Sequence, residues 1–193
     1  MRRHCIFVFP LIFAGHAGLA EQAHTPYAGL EAREIATLSD SDMADLSAGR
    51  GWGLALAAEL NGHPGPAHVL EHAVELELSA DQVARVQRIF QDMQRAAIAG
   101  GEAFIAAERA LNSAFAAGDL DTIALQDLVQ GAGEARSALR FVHLSRHLET
   151  LDVLNAGQVA RYNALRGYTD DPCNSVPEGH NAQMWRSHNG CDG

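Results

Sequence analysis

No proline interrupts the chain between Pro66 and Pro172. That gap sets most of what this stretch can become. Ala, Leu, Glu, Gln and Arg fill it, all strong helix formers. From Ser79 to about Ala117, Val83, Val86, Phe90, Met93, Ala97, Phe104, Leu111 and Phe115 recur in steps of three, four or seven, the period of one buried helical face. Gly100 and Gly101 are expected to interrupt this run and to bend it. "AGDLD" then turns the chain into a second long helix, from about Leu120 to Val153, with Ile123, Leu125, Leu128, Leu139, Val142, Leu148 and Leu151 apolar. So short a connection makes the two helices an antiparallel hairpin. No strand pattern accompanies them, and the fold class is all-α.

The flanks add shorter pieces. Ser39 with Asp42 marks one helix start, "SAGRGWG" breaks the chain, and "GLALAAEL" reads as a short apolar helix. In "GRGWG" the glycines read as a break between helices; Arg50 and Trp52 are left either to pack or to bind. Pro66 suits the first turn of a helix expected to reach Glu77. A last helix is expected from about Ala156 to Arg166. The organisation is therefore a leader over 1–20, short helices over 21–62, a helical hairpin domain over 63–168 and a Cys/His-containing tail over 169–193.

The leader has a basic start at Arg2 and Arg3, an apolar run from Cys5 to Phe13, and Gly18 and Ala20 at −3 and −1 of a cut before Glu21. That is the pattern of a cleaved secretory signal, and it places the mature chain in the periplasm. The apolar run is short for a membrane span. The chain has no lysine; after cleavage 24 acidic residues face 12 arginines, a net charge of −12. Such a surface will not hold nucleic acid through counterion release. It favours metal ions or basic unfolded segments. Cys173 and Cys191 remain, and an oxidising compartment lets them pair as a disulfide; two free thiols in the tail are the alternative.

One motif occurs twice. "LSADQVARV" begins at Leu78 and "LNAGQVARY" at Leu154. Ser79 and Asn155 suit helix N-caps, and Gln82 and Gln158 stand where an amide reaches back to complete a capping box. A repeated L-[ST]-x-x-Q in an exported helical chain resembles the Spy/CpxP family, which includes periplasmic chaperones and the CnrX- and ZraP-type metal-responsive proteins. The resemblance covers roughly residues 63 to 168. It implies a hairpin core, often a cradle-shaped homodimer, acting in the envelope stress response or in heavy-metal resistance. The second copy departs from the motif, with Asn155 in place of threonine or serine. CnrX-like members carry ligand pairs on the helices before each motif, and here those places hold His68/His72 and His143/His147. The family site also uses an acid and a methionine. Asp92 is a candidate for the acid, and His147 stands where the methionine is expected.

Residues i and i+4 share a helix face, so each pair can grip one ion without help from the family comparison. If both pairs met, four nitrogens would suit Zn²⁺, Cu²⁺, Ni²⁺ or Co²⁺. The plainer reading has solvated histidines paired with Glu71, Glu75 and Glu149. His63 lies in a Gly/Pro turn and reads as structural. His180, Met184 and His188, in the tail, form a second metal candidate with copper-like chemistry; packing of Met184 and Trp185 onto the body is its alternative. No phosphate-binding glycine loop, nucleophile elbow or HExxH helix is present, so binding rather than catalysis is expected. Besides metal ions, the expected partners are an unfolded client protein, held without metal by a chaperone surface, and an envelope sensor protein.

Overall fold

Capping side chains start the helices, and they do so where the sequence places them. In the computed structural model, which describes residues 27–169, 176, 181–188 and 191, a 3₁₀ turn at Leu30–Ala32 precedes α1 (Asp40–Ser47), α2 (Leu56–Glu59), α3 (Pro66–Glu71), α4 (Ala80–Ala117), α5 (Thr122–Leu151), α6 (Ala156–Leu165) and α7 (Ala182–His188). Ser39, Ser79 and Asn155 each form a full capping box. Asp121 caps α5 by accepting from the Ile123 and Ala124 N–H groups. Gly118, at φ 74°, ends α4 in the left-handed conformation that glycine adopts without strain. No helix among the described residues is long and apolar enough to cross a membrane.

α4 and α5 form the hairpin, and two apolar clusters hold the rest against it. In the first, Ile35, Leu38, Leu46 and Leu54 from the N-terminal segment bury against Ala97, Phe104, Ile105 and Leu139. In the second, at the hairpin base, Val69, Leu76, Val86, Val153 and Tyr162 pack together. Polar contacts bind the N-terminal segment along α4: Thr37 Oγ1 donates to Glu108 (2.6 Å), Asn112 accepts from the Ala36 N–H (3.2 Å), and Arg109 pairs with Glu34 (2.9 Å). The residues expected to form a separate N-terminal segment thus share a core with the hairpin.

Three sequence expectations need correction. Gly100 and Gly101 do not break α4, which runs through them. They are small because neighbours press close: a Cβ on Gly101 would lie 2.2 Å from the Leu46 carbonyl oxygen, and one on Gly100 would lie 3.2 Å from Leu139 Cδ1. α3 stops at Glu71 instead of reaching Glu77, because the chain must turn there to bury Leu76 and enter α4; Glu77 takes φ 51° to do so. Phe115, Ile123 and Leu148 are exposed, although the apolar pattern assigned them to the buried face. The inward face of α5 instead carries Ala132, Leu139, His143, His147 and Thr150. "GRGWG" is resolved as packing: the Trp52 indole N–H donates to Asp42 (2.8 Å), the ring sits 5.7 Å from Phe104, and the Arg136 guanidinium lies over it. Arg50 pairs with Asp45.

The repeated motif does more than start two helices. Gln82 Nε2 donates to Gln158 Oε1 (2.8 Å) and to the Val153 carbonyl (2.9 Å). Gln158 Nε2 returns bonds to Gln82 Oε1 and to the Leu76 carbonyl (both 3.2 Å). The two amides join the starts of α4 and α6, 76 positions apart. Replacing Gln82 and Gln158 by Ala, singly and together, is expected to give a coupling free energy of about 1 kcal/mol in a urea-denaturation cycle. Additive losses would mean that each amide serves its own cap alone.

Candidate functional site

The period of α5 sends two histidines into the interior. His143 and His147 are four residues apart, in phase with Leu139 and Thr150, and are 2% and 6% exposed. His147 Nδ1 lies 2.6 Å from the His63 carbonyl oxygen. A carbonyl only accepts, so Nδ1 is the donor in this bond and Nε2 is the nitrogen left for another partner. His63 is therefore structural, as its turn suggested, but through its backbone. Gly65 makes room for the ring: a Cβ there would lie 3.0 Å from His147 Nε2 and 3.5 Å from Glu59 Oε2.

Glu59, at the end of α2, is 7% exposed. Its Oε1 accepts from the hydroxyls of Tyr162 (2.5 Å) and Tyr168 (3.0 Å), and Arg166 Nε stands 3.4 Å away. Its Oε2 is 3.8 Å from His147 Nδ1 and accepts no hydrogen bond. Burial, helped by the carboxyl group of Glu59, pushes the Tyr162 hydroxyl far above its ordinary pKa, so it remains a donor. His143 Nε2 is also buried and without a hydrogen-bond partner. Glu59 Oε2, His143 Nε2 and Arg166 Nε are thus buried without a hydrogen-bond partner, each costly unless something satisfies it.

Burial, with a smaller contribution from neighbouring His147, lowers the His143 pKa below 6.5. The folded protein therefore holds this proton less tightly than the unfolded chain. The His143 contribution to stability is complete above about pH 6.5 and is lost progressively as the pH falls below it. Urea midpoints measured between pH 5 and 8 are expected to drop on the acid side, and His143→Leu is expected to flatten that part of the profile. An unchanged slope in the variant would assign the acid sensitivity elsewhere.

The other expected ligands lie apart from this pair. His68 is half-exposed and bonds Glu71 at 2.8 Å, a bond that holds the Glu71 carboxyl below its usual range. His72 caps the C-terminus of α3 and is partly buried. α3 packs against both α4 and α5, but among the described residues no three His, Cys, Asp or Glu side chains are gathered as a metal-ion site. The expected four-imidazole cluster is therefore not ready-made. α3 ends before His72, and the His68 ring is engaged by Glu71. Asp92, the candidate acid, pairs with Arg95 on the surface; Glu149 pairs with Arg146, and Glu75 is exposed. In the tail, Met184 is exposed on α7. His180, Cys173 and the side chain of His188 lie outside the described residues, as do the leader and His24. Cys191 is disulfide-bonded.

Sequence reasoning missed Glu59, Tyr162 and Tyr168. Glu59 had one signal: it is the lone charge in the apolar run Gly53–Leu60. A charge in such a run is either at the surface or paired inside, and only the fold decides which. No protein-family model, curated protein or solved structure matches this chain.

Proposed function

We propose that this is a periplasmic envelope-stress or heavy-metal-resistance protein that binds a transition-metal ion through paired histidines and acts by binding, not catalysis. The observation that supports this reading is the buried, unpartnered Nε2 of His143, one helical turn from a histidine whose other nitrogen is held by a backbone carbonyl. Metal-binding imidazoles characteristically donate their second N–H to a carbonyl or carboxylate in this way. Imidazole nitrogens fit Zn²⁺, Co²⁺, Ni²⁺ or Cu²⁺. His68, on the neighbouring α3, and His72, at its C-terminal cap, complete the donor set when α3 closes toward α5. Ion binding then favours one packing of the helices, and an envelope sensor can read it.

Calorimetric titration with each of these ions tests the reading. Micromolar or tighter binding is expected, abolished by His143→Ala or His147→Ala and weakened by His68→Ala or His72→Ala. Absence of binding by the wild-type protein ends it. A metal-independent chaperone is the second reading, favoured by Ile123, Phe141 and Leu148, which stand exposed on the outward face of α5 and offer apolar contacts to an unfolded client. Slowed aggregation of such a client in the presence of chelator supports that alternative.

A further inference from the structure

The N-terminal segment covers only part of the hairpin. Ile35 and Leu38 bury against Ala97, Phe104 and Ile105, and among the described residues the bonds of this segment to α4 end at Asn112. The apolar face of α4 does not end there. Leu111 and Phe115 stand about two and three turns beyond Phe104, on the same side of the helix. On α5, Val129 stands about two turns before Arg136, which lies over Trp52, and Leu125 about two turns before buried Ala132. Leu111 and Leu125 are partly buried, while Phe115 and Val129 are 62% and 53% exposed. The side of the hairpin that takes the N-terminal segment thus runs on toward the bend at Gly118, uncovered among the described residues.

The charge around this face decides what fits it. From Ala110 to Ala135 the sequence holds four acids, Asp119, Asp121, Asp127 and Glu134, and no arginine, lysine or histidine. The two bordering arginines are engaged, Arg109 by Glu34 and Arg136 over the Trp52 ring. None of the four acids is in an ion pair among the described residues. We propose that this distal face of the hairpin docks a basic amphipathic segment of a partner protein, with its large apolar side chains on Phe115 and Val129 and its arginines or lysines against the acids. The chain's own N-terminal segment sets the precedent nearer the base. Ile35 and Leu38, three positions apart, are its apolar anchors, and polar bonds to Glu108 and Asn112 accompany them. Anionic membranes and nucleic acid are repelled by such a rim, and a second copy brought tip to tip would set acid against acid. Val129 lies about 21 Å along α5 from His143, so the docking face does not depend on the metal reading.

The test follows the fluorescence anisotropy of a labelled basic peptide, with leucines at every third or fourth position and arginines between, as the purified protein is added. Saturable binding is expected, weakened about fivefold or more by Phe115→Ser or Val129→Ser. Asp119→Asn combined with Asp127→Asn should weaken it too and make it less sensitive to salt. Phe141→Ser, also at an exposed position but outside this face, should leave it unchanged. All the substituted side chains are exposed, so the fold is retained. Amide exchange at residues 111–129 should slow when the peptide is bound. Absence of binding overturns the proposal, as does equal binding of a peptide with glutamates in place of the arginines. A loss in Phe141→Ser as large as that in Phe115→Ser assigns the peptide to the outward face of α5 and overturns it as well. If sedimentation shows a dimer that Phe115→Ser dissociates, a second copy takes this face and the partner segment does not.

Discussion

Gly101→Ala is expected to destabilise the protein by about 3 kcal/mol, at the upper end of overpacking costs, although alanine in a helix interior normally gains about 1 kcal/mol over glycine. The added methyl would lie 2.2 Å from the Leu46 oxygen and 2.8 Å from its carbonyl carbon. Those atoms belong to the backbone at the end of α1, so no rotamer change relieves the clash. Either α1 lifts from α4, or the shared core of Leu46, Ala97 and Phe104 opens. Gly133→Ala, also within a long helix but with nothing within 4 Å of the new Cβ, is expected to stabilise by about 0.5–1 kcal/mol. Urea midpoints of the two variants should therefore move in opposite directions. A stabilised Gly101→Ala would mean that α1 does not cross α4 there.

Glu59→Ala is expected to cost about 3–5 kcal/mol, the range for removing one member of a buried charged cluster. The substitution strands the fully buried Tyr162 hydroxyl and takes from Tyr168 and Arg166 their shared acceptor. Glu59→Gln keeps an acceptor oxygen in place and is expected to cost less, about 1–3 kcal/mol. Leu56→Ala, exposed on the same short helix, should stay within about 0.5 kcal/mol of wild type. Denaturant midpoints at neutral pH check the order. Equal losses at positions 56 and 59 would show that α2 contributes apolar packing alone.

The helix starts could be read from the chain because their physics is local. Ser79 with Gln82, Asn155 with Gln158, and Ser39 with Asp42 each satisfy N–H groups within three positions. What was not legible depends on partners far away in sequence. Gly101 looks like a helix weakness until Leu46 is seen to lie on it. Gln82 and Gln158 look like independent caps until their amides meet. Leu148 fits an apolar stripe as well as His147 does, and only the tertiary packing decides which points inward. The candidate site was half visible. The i, i+4 spacing picked out His143 and His147, while Glu59 comes beside His147 only because α2 folds onto α5. The pairing of all four histidines failed as a ready-made cluster because α3 is shorter than its composition suggests.

The paired glutamines pin the base of the hairpin, whereas its far end carries exposed Phe115 and Ile123 around the bend at Gly118. Fraying should accordingly begin at that bend and travel inward. Slow-exchanging amides should concentrate near Val86 and Tyr162, so that loosening the remote tip leaves the buried histidine pair undisturbed.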